Sequence, residues 1–366
     1  MPTILTIFSE SGYFRCDELP QAGFMHALNF GKSPPGGAKH ALACTFIPYQ
    51  RAISPRPLKR PCTCAIDLHP AFSLYAPRMI YGILKSMRPH QWVKNAFVLA
   101  PVVFAGSFDD VYLLARAVAA AALFSVVSGS VYLLNDVLDV EKDRAHPVKR
   151  NRPVASGRVP IPVARVASAV LATLALALGF WLAPLAGACL ATYLVLNLAY
   201  SVRLKHIAWL DLVIIATGFV IRVLTGGFAT GIHISVWLLA CTFLLAVYLG
   251  LGKRRHELRD EAAGGTTRKS LQHYSEPRVA KAMAFTAIAT VSAYSAYTFS
   301  QHARDVFGSP WVPVTIPFIC FGIVRFYTLT GRTDTSASPT DRMVTDPLFV
   351  TNILIWGLLV LGLIYL

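Results

Sequence analysis

From about residue 80 to its end, the chain alternates long apolar runs with short polar stretches. Several runs are long enough to cross a hydrocarbon layer of about 30 Å. The pattern predicts nine spans: Trp92–Phe108, Val111–Leu134, Ile161–Ala183, Leu185–Tyr200, Trp209–Phe228, Trp237–Leu251, Val279–Ser300, Trp311–Thr330 and Leu348–Leu366. The first is the weakest, because Lys94 and Asn95 lie inside it and Pro101 would bend it. Pro184 separates the third and fourth with almost no loop. The predicted fold is all-α, a polytopic membrane bundle of about nine transmembrane helices.

Composition agrees. Of the 366 residues, 55% are hydrophobic and 14% charged, with a mean hydropathy of +0.52; soluble domains carry about 25% charged residues. The first 78 residues differ from the rest, with many Pro and Gly and four of the seven Cys, namely Cys16, Cys44, Cys62 and Cys64. Cys62 and Cys64 are too close and too solitary for a zinc site, and no charged segment leads into an apolar signal core. Residues 1–78 therefore read as a disordered tail, or as sequence ahead of a start near Met79, and deleting them should leave activity intact. Residues 79–366 read as one transmembrane catalytic domain. Cys189, Cys241 and Cys320, inside spans, read as packing residues.

Charge sets the expected orientation. Lys and Arg gather after the second, fourth, sixth and eighth spans, whereas the opposite loops carry little beyond Asp109, Asp110, Arg304 and Asp305. Basic loops favour the cytoplasm. The N-terminus is then inside and the C-terminus outside. The net charge of +15 reads as topology, anionic headgroups and phosphate binding, with no case for nucleic acid.

The chemistry concentrates where the second span ends, at Asn135-Asp136-Val137-Leu138-Asp139-Val140-Glu141-Lys142-Asp143. On one helix, Asn135, Asp136, Asp139 and Asp143 share an arc of roughly 100°. Three carboxylates on one stripe repel unless a cation sits among them, and Mg²⁺ is commonly held by a few carboxylates plus substrate phosphates. Arg144, Lys149, Arg150 and Arg152 follow directly, punctuated by Pro147 and Pro153. Cations beside a metal-carboxylate cluster suit a polyphosphate. Lys94, Asp211 and Arg222 lie within spans, where ionisable groups usually face a cavity. Snorkelling would also explain Lys94 and Asp211, and a structural pairing Arg222. Asp211 and Arg222 share a face but stand roughly 16 Å apart, so each needs a partner elsewhere. Lys253 and Arg254 after the sixth span, and Tyr200, Arg203 and Lys205 after the fourth, form further polar sets; topology alone could also account for the former. Gly264–Thr267 reads as a linker. His146 and His256 read as supports for their neighbours.

NDxxDxxxD after the second span, basic residues after the fourth and a polar loop after the sixth resemble the UbiA-type intramembrane prenyltransferase superfamily. Within it the chain is similar to the decaprenyl-phosphate phosphoribosyltransferase branch, on RPHQWVKN (Arg88–Asn95), Asn135–Gly157, Tyr200–Gly227, GKRRHEL (Gly252–Leu258), Arg268–Tyr274 and Thr345–Trp356. The resemblance covers residues from about 80 to 366. Prenyl-diphosphate enzymes of the superfamily carry a second Asp-rich box near the sixth span. Here GKRRHELRDE stands in its place, which suits a donor carrying a 5-phosphate as well as a diphosphate.

The resemblance implies Mg²⁺-dependent transfer of a 5-phosphoribosyl group from phosphoribosyl diphosphate to a polyprenyl phosphate. It implies a bacterial inner-membrane enzyme with a cytoplasmic site, whose product, in the best-known lineage, leads to an arabinose donor for the cell envelope. Asp136, Asp139 and Asp143 would hold the metal, with Asn135 adding a contact, and Asp136→Asn or Asp139→Asn should abolish turnover. Arg144, Lys149 and Arg152 would clamp the diphosphate, and Lys253 and Arg254 the 5-phosphate. Lys94, with Arg203, Lys205 or Arg222, would orient the acceptor; Asn95, Tyr200 and Asp211 complete the substrate-binding set. Competing expectations are transfer of a prenyl chain from its diphosphate to an aromatic or other acceptor, and transport of an anionic or lipid-linked substrate. Against transport, the polar residues cluster on one membrane side rather than at the midplane. Self-association is left open.

Overall fold

The computed structural model describes residues 70–204, 207–262, 271, 273–331 and 339–365. All of these fall in one unit, Ile66–Leu366. The four N-terminal cysteines, Lys205 and the Gly264–Thr267 linker lie outside the described residues, as does most of the expected tail. The first helix, α1, runs Pro70–Ser86 and so crosses the expected boundary at residue 78.

α1 stops where Arg88 precedes Pro89, because proline disfavours helical backbone in the residue before it. Arg88 adopts a left-handed conformation at φ 55° and turns the chain. A 3₁₀ helix, Pro89–Leu99, follows and continues into α2, Ala100–Phe104. This is the first expected span in an unexpected form. A 3₁₀ helix rises about 2.0 Å per residue against about 1.5 Å in an α-helix, so the two pieces together reach about 30 Å. The tight winding puts Asn95 and Val98 on one buried face. There the Val98 carbonyl lies so close to the helix that carries Gly226 that a Cβ on that glycine would collide with it.

The remaining helices are α3 (Val111–Leu138), α4 (Val140–Ala145), α5 (Ile161–Leu182), α6 (Pro184–Val202), α7 (Leu210–Thr230), α8 (Val236–Ala262), α9 (Glu276–Phe299), α10 (Gln301–Phe307), α11 (Ile316–Thr330), α12 (Pro339–Thr345) and α13 (Pro347–Tyr365). Asp110 caps α3, its carboxylate accepting the Tyr112 and Leu113 N–H groups. Among the described residues, eight helices are long and apolar enough to cross a membrane: α3, α5 to α9, α11 with the 3₁₀ turn before it, and α13. The chain is an all-α integral membrane protein, and the first expected span, which is not among the eight, is the 3₁₀ segment.

α3 and α7 form the centre. α7 packs against α3, α6, α8 and the 3₁₀ helix. Val98, Phe124, Val127, Leu190, Tyr193 and Ile221 fill one cluster among them; Leu212, Tyr248, Leu251, Met283 and Phe326 fill another between α7, α8, α9 and α11. Alternating chain direction brings the ends of α3, α6, α8 and α11 to the same face as the starts of α5, α7, α9 and α13. At the opposite face Arg116 of α3 ties two helices together. Its Nε donates to the Ala229 carbonyl and its Nη2 to that of Leu182, both at 2.6 Å, satisfying terminal carbonyls of α7 and α5.

Candidate active site

The helical stripe predicted from Asn135 to Asp143 is interrupted at Asp139, which ends α3 and precedes α4 with φ −99° and ψ 14°. The helical hydrogen bonds persist across the break, from Asp139 N–H to Asn135 and from Asp143 N–H to Asp139, both at 2.9 Å. Asp136 and Asp143 therefore stay two turns apart on one side, both buried. Arg152 joins them: its Nη1 donates to Asp143 Oδ2 at 2.6 Å and reaches Asp136 Oδ1 at 3.3 Å. Arg88 Nη2 donates to the same Asp136 oxygen at 2.7 Å, and its guanidinium lies 4.8 Å from the Tyr132 ring centroid. The loop that carries Arg152 is anchored by Val154 and Val159, both fully buried in a cluster with Leu133, Val137 and Val140.

The three expected metal ligands are not gathered in this structure. Asp139 contacts Lys142 at 3.5 Å instead of joining the other two. Among the described residues, no three His, Cys, Asp or Glu side chains are gathered closely enough to hold a metal ion. The fit to a metal is that of a pair: Asp136 and Asp143 already converge on one cationic nitrogen. Their other oxygens, Asp136 Oδ2 and Asp143 Oδ1, accept no hydrogen bond among the described residues. Two carboxylates plus substrate phosphates are an ordinary Mg²⁺ set.

Behind this cluster a cavity of about 200 Å³ opens between the 3₁₀ helix, α3, α6, α7 and α8. Tyr132 links the two, lying under Arg88 and in the cavity wall. Lys94, Tyr200, Arg222 and Lys253 line it, four residues the sequence marked, together with Tyr193 and Phe219. Arg222 has found protein partners: Nε donates to Asn95 Oδ1 at 2.9 Å, Nη1 to the Gly218 carbonyl at 2.8 Å and Nη2 to the Tyr193 hydroxyl at 3.2 Å. Phe124, Tyr193 and Phe219 surround its guanidinium. Asn95 is equally committed, since its Nδ2 donates to Ser125 Oγ at 2.8 Å. Both are bonded into the cavity wall.

Asp211 and Arg254 form a second polar cluster, and it is buried. Asp211 is fully buried; its Oδ2 lies 3.0 Å from Arg254 Nη2 and its Oδ1 accepts from the Tyr274 hydroxyl at 2.7 Å. Glu257 bonds the other end of the Arg254 guanidinium. The Tyr274 oxygen also accepts the Trp209 N–H at 2.7 Å, which ties the turn before α7 to the segment before α9. Burial, and then the Asp211 carboxylate, hold the Tyr274 hydroxyl above its ordinary pKa. Arg254, expected on a phosphate, is here buried and paired with Asp211 and Glu257.

Other marked residues stand at the protein surface. Arg144 pairs with Glu141 at 2.9 Å and donates to the Ala155 carbonyl, and Lys149 and Arg203 are exposed. His146 supports its loop, its Nδ1 accepting the Val148 and Lys149 N–H groups. The reading of the sequence missed Arg88, although it begins the RPHQWVKN stretch; an arginine before a helix-stopping proline at a membrane edge was the available signal. Arg116 and Arg325, also inside spans, were passed over too. Arg325 forms a two-armed pair with Asp346, at 3.0 and 2.6 Å.

Residues 96–363 match the UbiA prenyltransferase family. The chain is 36% identical over 259 residues to a decaprenyl-phosphate phosphoribosyltransferase of Mycolicibacterium smegmatis, covering 68% of this chain and 81% of that protein. It is 32% identical over 294 residues to one of Corynebacterium glutamicum, covering 78% and 87%. Among solved structures, its fold is similar to a UbiA homolog from Archaeoglobus fulgidus bound to DMAPP and Mg²⁺, with a TM-score of 0.56 at 18% identity over 76% of this chain and 99% of that one.

Proposed function

The chain belongs to the UbiA prenyltransferase family, and on that premise we propose that it transfers a 5-phosphoribosyl group from phosphoribosyl diphosphate to a polyprenyl phosphate, releasing diphosphate. The observation that carries this reading is the imbalance of charge at the site. One carboxylate pair stands at the end of α3, and in place of a second acidic box α8 brings Lys253 to the cavity opposite Lys94 and Arg222. A donor with a 5-phosphate beyond its diphosphate needs that excess of cations; a prenyl diphosphate does not. The relatives named for this activity support the same choice.

Asp136 and Asp143 would hold Mg²⁺, which when bound neutralises charge growing on the leaving diphosphate. Arg152 has Nε and Nη2 without a partner among the described residues, and these would bind diphosphate oxygens. Lys253 would hold the 5-phosphate, and Lys94 the acceptor phosphate. Tyr132, Tyr193 and Phe219 keep the wall between them apolar and exclude water from ribose C1. The C1–O bond to diphosphate breaks as an acceptor phosphate oxygen bonds to C1. That oxygen is already anionic near neutral pH, so no general base is required. The remaining task is to bring two anions together, and the fixed positive charge of Arg222 in the wall offsets their repulsion. The apolar flanks would take the lipid tail. The basic loops favour a cytoplasmic site in a bacterial inner membrane.

A two-donor assay tests the reading. Purified protein receives polyprenyl phosphate, Mg²⁺ and either labelled phosphoribosyl diphosphate or labelled prenyl diphosphate. Label should enter the lipid fraction from the first. Incorporation from the second alone, with an aromatic or other acceptor, would replace the reading with prenyl transfer.

A further inference from the structure

Arg152 sits between the two buried carboxylates, and its bonding there is of an exchangeable kind. It reaches both carboxylates through a single nitrogen, Nη1, at 2.6 and 3.3 Å, and its side chain is about one-third exposed. Arg325 shows the contrasting arrangement, two nitrogens each on its own oxygen of Asp346. A two-armed pair resists exchange better than a single-nitrogen contact shared by two acceptors. Arg88, the other cation on Asp136, is held differently, with the Tyr132 ring beneath it and a left-handed backbone behind it. The backbone around Arg152 is pinned by Val154 and Val159, so a change of partner needs only side-chain rotation.

We infer that Arg152 is an internal counter-ion that occupies the metal position in the donor-free protein and exchanges with the metal when the donor binds. This rests on the reading that Asp136 and Asp143 hold Mg²⁺ with the diphosphate. In the donor-free state Nη1 neutralises the two carboxylates and keeps them from repelling. A metal arriving alone must displace the guanidinium without offering it another acceptor, so it binds weakly. A metal arriving with diphosphate brings acceptor oxygens for Arg152, and the exchange becomes favourable. The coupling is reciprocal: metal and diphosphate each strengthen binding of the other.

The test counts bound Mn²⁺ by electron paramagnetic resonance on the full chain in detergent, with and without inorganic diphosphate. For the wild type, diphosphate should tighten Mn²⁺ binding by about tenfold or more, the scale of one charge-assisted contact. Arg152→Gln should bind Mn²⁺ without diphosphate about tenfold more tightly than the wild type, with little further gain from diphosphate. Arg152→Lys, which keeps a cation in reach, should stay near the wild type. Adding Asp143→Asn to Arg152→Gln should remove the tight site. Equal or weaker diphosphate-free binding by Arg152→Gln overturns the inference. So does a melting temperature that Mn²⁺ raises no more in Arg152→Gln than in the wild type, which covers a variant that folds poorly without metal. Phosphoribosyl transfer by the wild type is measured alongside. Transfer without the gain in Mn²⁺ binding sinks the exchange and leaves the function; the gain without transfer does the reverse.

Discussion

Two aspartate–arginine clusters lie on the same face of this bundle, and they differ in almost everything except composition. At Asp211, Arg254, Glu257 and Tyr274 the acid is fully buried and engaged from both sides, and the arginine is 1% exposed. At Asp136, Asp143, Arg88 and Arg152 the acids are buried but the arginines are not, and each carboxylate keeps an oxygen without a partner among the described residues. The first cluster joins α7 to α8 by ion pairs buried within the protein. The second keeps spare carboxylate oxygens and spare nitrogens of Arg152 among the described residues. Charge pairs sealed in protein hold helices in register, whereas pairs with spare acceptors and donors can change partners, which chemistry on a diphosphate requires.

Substitutions can break that comparison. The largest expected effect is on the sealed side: Asp211→Asn leaves Arg254 buried without this counter-ion, costs on the order of 3 kcal/mol and should be read as a large drop in the melting temperature of the detergent-solubilised protein. If Asp211→Asn melts normally and loses only activity, the cluster is functional after all. On the open side Asp136→Asn should lower phosphoribosyl transfer by on the order of 10³ while melting within a few degrees of the wild type. Lys253→Met should raise the donor KM by about tenfold with no change in melting temperature, the loss of one charged contact. The smallest effect belongs to Asp139→Asn. Its exposed contact with Lys142 contributes under about 1 kcal/mol, so turnover should fall less than about fivefold. A dead Asp139→Asn would restore the trio of ligands in place of the pair.

Much of the molecule could be read before its structure. Apolar run length gave eight of the nine expected spans as long helices, because in lipid the backbone must satisfy itself within each segment. Lys94, Tyr200, Arg222 and Lys253, drawn from four separate stretches, do meet around one cavity. Two side chains lie elsewhere than the pattern predicts, and for one reason. Asp139 falls on the predicted stripe, yet the backbone relaxes there and the side chain reaches Lys142. Arg254 sits beside Lys253 in a basic loop, yet it turns inward to Asp211 while its neighbour faces the cavity. Helical periodicity assigns a direction to each residue but says nothing about which partner waits there.

Sequence alone determined that this chain is a membrane helical bundle with its carboxylates and cations gathered at one end, since hydropathy and loop charge are properties of residues in order. Only the tertiary structure decided that the first apolar run starts as a 3₁₀ helix seated on Gly226, that Asp211 is matched to Arg254, and that Arg152 lies between Asp136 and Asp143. Those are contacts between residues from 9 to 128 positions apart. Their energies depend on burial and distance, and neither exists until the helices have packed.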